Sequence, residues 1–154
     1  MGVTLLFCVK LNTYIMKKST LTLLLLLIFS FNAKAADVSD LEYFNNGSFV
    51  TITDCASSAV GELIIPNSID GLPVKIIDDS AFSSNKLSRI VIPQTVTTIG
   101  QYAFSSNEAN EIIIPEGVRL IRHSAFFGMD NITKINLPES LQKIEGSAFR
   151  SCDN

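Results

Sequence analysis

From residue 60 to residue 152 the apolar and polar positions of the chain follow one phrase that returns every 22 or 23 residues. Apolar-proline pairs mark it: "ELIIP" ends at Pro66, "RIVIP" at Pro93, "EIIIP" at Pro115 and "KINLP" at Pro138. A second anchor, the last Phe of "xxAF", falls at Phe82, Phe104, Phe126 and Phe149, with spacings of 22, 22 and 23. The first proline spacing is wider, 27 residues, because "NSIDGLPV" (67–74) is inserted. Asp-Gly and Leu-Pro are turn formers, so the insertion is a loop that leaves the frame intact.

Counted from the proline, apolar residues recur at −6, −3, −1, +3, +6, +10 and +11; in the second unit these are Leu87, Ile90, Ile92, Val96, Ile99, Ala103 and Phe104. The −3 and −1 positions alternate with outward ones, which is the period of a strand, and Ile dominates them. The proline ends the strand. A second short extended piece carries +3 and +6, and "xxAF" then tucks a small and a large side chain inward on one helical or 3₁₀ turn. No unit can bury these residues alone, whereas stacked units bury them in continuous columns. The spacing therefore predicts a β-rich leucine-rich-repeat solenoid of about four coils with parallel strands. Ahead of it, "DVSDLEYFNNGSFVTITD" (37–54) predicts a hairpin-like N-terminal cap turning at Asn46-Gly47. In "IGQYAF" the pattern points Ile99, Ala103 and Phe104 inward and Gly100, Gln101 and Tyr102 outward.

The pattern L-x-x-I-x-I-P-x-x-V-x-x-I-G-x-x-A-F resembles the BspA-like leucine-rich repeat surface protein family. The likeness covers residues 60–152 and extends weakly over 49–66. In that family a coil usually ends A-F-x-x-C, and here the Cys survives only as Cys152; Asn85, Asn107 and Met129 hold the place in the other coils. The Asn residues are expected to bond the turn backbone instead. The resemblance implies surface adhesion or host interaction in some members. It names no residue for such a role.

The excess of apolar residues is partly local. "LTLLLLLIFSF" (21–31), preceded by Met16-Lys17-Lys18 and followed by Ala33 and Ala35 in A-x-A spacing, reads as a secretory signal peptide at 16–35. The alternative is an uncleaved anchor helix, although the run is short for a membrane span. Residues 1–15 add nothing a signal needs and read as a mis-assigned extension. The organisation is then 36–59 cap and 60–154 repeats, secreted, periplasmic or at the cell surface, with a bacterial style of signal and no membrane span after cleavage. The mature part keeps eight basic and fifteen acidic residues, a formal charge of −7. Such a surface argues against nucleic acid and anionic membranes as partners.

The sequence stops soon after an AF turn, where the next strand belongs. The C-terminal end is thus expected to be uncapped. Either the repeats are truncated, as the N-terminal scaffold of a longer multidomain protein, or the open coil pairs with something, including end-to-end with another copy. Cys55 and Cys152 lie at opposite ends of the array, several strand spacings apart, beyond disulfide reach. They are expected to be isolated thiols, the alternative being a bond to a partner or to missing sequence.

Chemistry is sparse. His123 stands alone, in a polar column shared with Asp79, Gln101 and Gly146, without companions at metal-ligand spacing. The serines of the AF turns lie beside no base and in no nucleophile elbow. There is no phosphate-binding Gly loop. Trp is absent and Tyr occurs three times, which leaves little for a sugar-stacking platform. No enzymatic activity and no cofactor are expected. What remains is the outward face of the strands. At −4 stand Glu62, Arg89, Glu111 and Lys134, alternating in sign: either a ladder that stabilises stacking or a binding stripe. At −2 stand Ile64, Val91, Ile113 and Asn136. Their three aliphatics form either an exposed strip that contacts a protein partner or one covered by long neighbouring side chains.

Overall fold

The structure, a computed structural model, describes residues 35–152. The expected extension at 1–15 and the signal segment up to residue 34 lie outside the described residues. The fold begins with β1 (Ala35–Ala36), one 3₁₀ turn (Val38–Asp40) and the hairpin β2 (Leu41–Asn45) and β3 (Val50–Cys55). Then come β4 (Val60–Ile64), β5 (Ser68–Ile69), β6 (Leu72–Ile77), β7 (Leu87–Val91), β8 (Thr98–Ile99), β9 (Glu111–Ile113), β10 (Leu120–Ile121), β11 (Lys134–Asn136) and β12 (Lys143–Ile144).

These strands form two sheets, one more than the strand pattern alone required. The strands that run into the prolines make the first, in the order β1-β4-β7-β9-β11 and parallel throughout. The short pieces after the prolines make the second, β12-β10-β8-β6-β3-β2, parallel except where β2 pairs antiparallel with β3. The hairpin turns at Asn46-Gly47 as its sequence requires, with Gly47 at φ +86°. Its strand β3 continues the second sheet, so the cap is built into the stack. The insertion at 67–74 is itself a two-residue hairpin, β5 against β6, turning at Asp70-Gly71.

Between the sheets the inward columns pack as the period demands. Phe82, Phe104 and Phe126 are fully buried, and with Phe149 they stack ring on ring at centroid distances of 5.1, 5.5 and 5.2 Å. In the fourth coil the same inward positions are half covered: Leu137 is 47% exposed and Ile144 42%. Their equivalents in the third coil, Ile114 and Ile121, have neighbours on both sides and are 1% and 0% exposed.

The AF turns differ from expectation. They are not helical. Each coil places one residue at positive φ before "AF" (Ser80, Tyr102, Ser124, Ser147) and another two positions after it (Ser84, Ser106, Gly128, Ser151). This alternation turns every second N–H toward the next coil: Phe82, Phe104 and Phe126 each donate to the carbonyl of Ala103, Ala125 and Ala148, at 2.8 Å. A left-handed residue costs roughly 1–2 kcal/mol, and an extra backbone hydrogen bond between coils offsets it. A helical turn would spend those donors within its own coil. Gly100 also departs from expectation. It is buried, and a Cβ there would lie 2.4 Å from the Asp78 carbonyl carbon, so the coils approach too closely for any side chain.

Asn85 and Asn107 bond the turn backbone as expected. Asn107 Nδ2 donates to the carbonyls of Phe82 (2.7 Å) and Phe104 (2.9 Å), while its Oδ1 accepts from Leu87 N–H (2.9 Å). In the last coil Cys152 Sγ donates to the Phe126 carbonyl at 3.3 Å. A thiol with one donor thus stands where a carboxamide makes several bonds.

Candidate functional site

The outer face of the first sheet brings together all eight residues of the −4 and −2 columns. In-register pairing sets Glu62 opposite Arg89, Ile64 opposite Val91, Val91 opposite Ile113, Glu111 opposite Lys134 and Ile113 opposite Asn136. Parallel strands lie about 4.8 Å apart, so each column is a row of side chains at that spacing. Gly61, at φ +79°, sits in a register shift of β4 that lets Glu62 and Ile64 keep step with β7.

The aliphatic row is uneven. Ile64 is 59% and Ile113 56% exposed, whereas Val91 between them is half-buried. Val is one methylene shorter than Ile, so the row dips at its centre. The charge row divides at the same place. Arg89 Nη1 donates to Glu62, and Lys134 Nζ donates to Glu111 at 2.6 Å. Each inner charge, Arg89 and Glu111, thus turns to its outer neighbour. The gap between them opens a cavity of about 220 Å³, lined among others by Ser88, Arg89, Val91, Glu111, Ile113 and Pro115. The notch is floored by Val91, rimmed by Ile113 and Pro115 and walled by one cation and one anion. These ion pairs are exposed and contribute little to stability. Their solvated ends remain free to rearrange around a bound surface.

The other polar groups offer less. His123 is exposed; its backbone N–H donates to Glu145 (3.2 Å), and its ring meets Tyr102 edge-on at 6.0 Å. Lys143 holds the Glu145 carboxyl below its usual range. Burial, reinforced by Asp40 and Asp54, pushes the Cys55 thiol up to about 11, so it stays protonated at neutral pH and is a poor nucleophile. Cys55 is a free thiol. Among the described residues no cluster of three or more His, Cys, Asp or Glu could hold a metal, and no helix is long and apolar enough to cross a membrane.

Two exposed aromatics lie off the strand face, Tyr102 pointing outward as its sequence pattern indicated and Phe44 at a position the sequence did not single out. Phe44, 62% exposed, sits on the outer side of the cap hairpin. Tyr102 packs edge-on against both His123 and Phe127 on the turn wall. The signal for Tyr102 was legible: it is the one large residue in a column otherwise made of Ser80, Ser124 and Ser147.

Comparison with known proteins agrees with this architecture. Residues 75–154 match the family described as "BspA type Leucine rich repeat region (6 copies)". A leucine-rich repeat protein of T. pallidum superposes with a TM-score of 0.68 and 33% identity, over 77% of this chain and 57% of its own. The chain thus spans little more than half the length of that protein. A leucine-rich repeat protein of Bacteroides capillosus superposes with a TM-score of 0.63 and 24% identity, over 70% of this chain and 85% of its own. No curated protein matches the sequence.

Proposed function

The chain belongs to the BspA-type leucine-rich repeat family, and on that premise we propose that it is a non-catalytic protein-binding module, exported to the cell surface or beyond. The outer face of the first sheet is its binding surface. One observation carries this reading: Ile64 and Ile113 stand more than half exposed on either side of the half-buried Val91, on a sheet whose inner side is packed in the first three coils. A row of aliphatics left open at that level marks a contact surface. Protein interfaces put such an apolar centre inside a polar rim, and here the charge row provides one edge of it. The fold supplies a rigid platform, since every coil is fixed by its neighbours. The sparse chemistry of the chain supports a binding role over an enzymatic one. The export reading rests on the leader-like segment at 16–35 and on family membership.

The chain's coverage of 57% of the T. pallidum protein favours a second reading, in which these coils form the repeat part of a longer protein. In both readings the same face binds. The test is a pull-down or surface-binding assay with the wild-type chain and the Ile113→Asp variant. Loss of binding by a variant with an unchanged circular dichroism spectrum is the expected result. Undiminished binding by that variant would place the contact elsewhere.

A further inference from the structure

The two outward rows have a symmetry that neither has to have for stacking alone. Along the coils the charge row reads Glu62, Arg89, Glu111, Lys134: minus, plus, minus, plus. Reversed, it reads plus, minus, plus, minus. A four-rung alternating row is therefore complementary to its own reverse. The aliphatic row, Ile64, Val91, Ile113, Asn136, matches its reverse at the two central rungs, where the projecting Ile113 meets the recessed Val91, while the outer rungs set Ile64 against Asn136.

We propose that this face pairs with a second copy of the chain, about a two-fold axis that runs parallel to the strands and passes between β7 and β9. Such an axis reverses the order of the coils and keeps the direction of the strands. Each −4 residue then meets a −4 residue of the other copy and each −2 residue a −2 residue. Glu62 faces Lys134 of the second copy and Arg89 faces Glu111 of it, and the relation is reciprocal, as an isologous contact requires. A two-fold along the stacking direction would instead reverse the strands and lose the match of like columns. The axis passes through the 220 Å³ notch, where the charge row is already divided into two pairs. Arg89, with 65% of its side chain exposed, and Glu111, with 43%, stand on either side of it. Each can take an opposite charge across the interface without giving up the partner it has.

The face is small. Four strands at about 4.8 Å and some five residues at about 3.3 Å give roughly 300 Å² per copy, well below the roughly 800 Å² per partner of a stable interface. The dimer is therefore weak and in exchange with monomer, and a tighter-binding protein partner could displace it. This inference rests on the binding face proposed above and names its occupant.

The test is sedimentation equilibrium of the chain over a wide concentration range, with charge-inverted variants. R89E/K134E makes the row all negative, and E62K/E111K makes it all positive. Each alone should associate at least tenfold more weakly than wild type, while a one-to-one mixture should recover dimer. A mixture that stays monomeric overturns the proposal, as does a strictly monomeric wild type. Should the charge variants fold poorly by circular dichroism, single V91C and I113C variants replace them. Mixed under mild oxidation, these should give a disulfide between positions 91 and 113 of different copies, located by mass spectrometry, in excess over either variant alone. No excess overturns the pairing. If wild type is monomeric yet Ile113→Asp still abolishes binding of another protein, self-pairing falls and the binding face stands; if Ile113→Asp alters neither, both fall.

Discussion

The two sheets come from the same coils and both carry apolar residues on their outer sides, yet only one is left open. On the first sheet Ile64, Val91 and Ile113 occupy three successive rungs, and the outer two are more than half exposed. On the second, Ile76 and Leu120 are separated by Thr98 in the rung between them, and both are half-buried. Their charges differ as well. The first sheet pairs its cations across rungs, Arg89 with Glu62 and Lys134 with Glu111, whereas on the second Lys143 pairs with Glu145 two residues on and Lys75 and Arg119 make no ion pair among the described residues. Apolar residues that point outward do not by themselves make a binding surface. Continuity across rungs does, because a partner must cover adjacent side chains to remove enough apolar area from water.

Five substitutions probe this contrast. The largest effect belongs to the inner side of the first sheet. Ile112 is 1% exposed, and Ile112→Asp strands a charge in the core at a cost on the order of 3–5 kcal/mol. Thermal melting should show the coils unfolded or far less stable, while Ile113→Asp melts close to wild type. Equal loss in both variants would refute the inward and outward assignment of β9. An intermediate effect is expected on the second sheet. Leu120→Asp should lose about 1–2 kcal/mol in urea denaturation, because that side chain is partly buried; no loss would make the second sheet as open as the first. The smallest effect concerns the charges. Arg89→Ala should lose about 0.2–1 kcal/mol, and Lys75→Ala less, in the same measurement. A larger loss for Lys75→Ala would mean that the second sheet also depends on a charge network.

Much of this was legible in the sequence. The coil number, the frame around the 67–74 insertion and the membership of both outward rows followed from spacing, the cap hairpin from Asn46-Gly47 turn chemistry, and the Asn at the turn from the family resemblance. These features repeat, and a repeated position meets its own kind in the next coil, so local pattern and tertiary neighbour carry the same information. The AF turn was misread because a helical turn and an alternation of left- and right-handed residues bury Ala and Phe equally well. The two differ only in where the backbone N–H groups go. Gly100 was taken as outward because the sequence does not show that the Asp78 backbone lies within 2.4 Å of where its side chain would start.

By itself, the sequence determined which aliphatic and aromatic residues of the phrase face the core, since its period leaves one stacking register that buries them. Only the tertiary structure decided what the outward residues do with one another. Arg89 has an acidic neighbour on each side in the row and the letters do not choose between them; it takes Glu62, Lys134 takes Glu111, and the notch opens where no pair closes it. The reason is physical. Core packing is steeply dependent on register and punishes every alternative, whereas exposed charges at nearly equal spacing differ by a fraction of a kcal/mol, a choice left to side-chain geometry in the assembled coil.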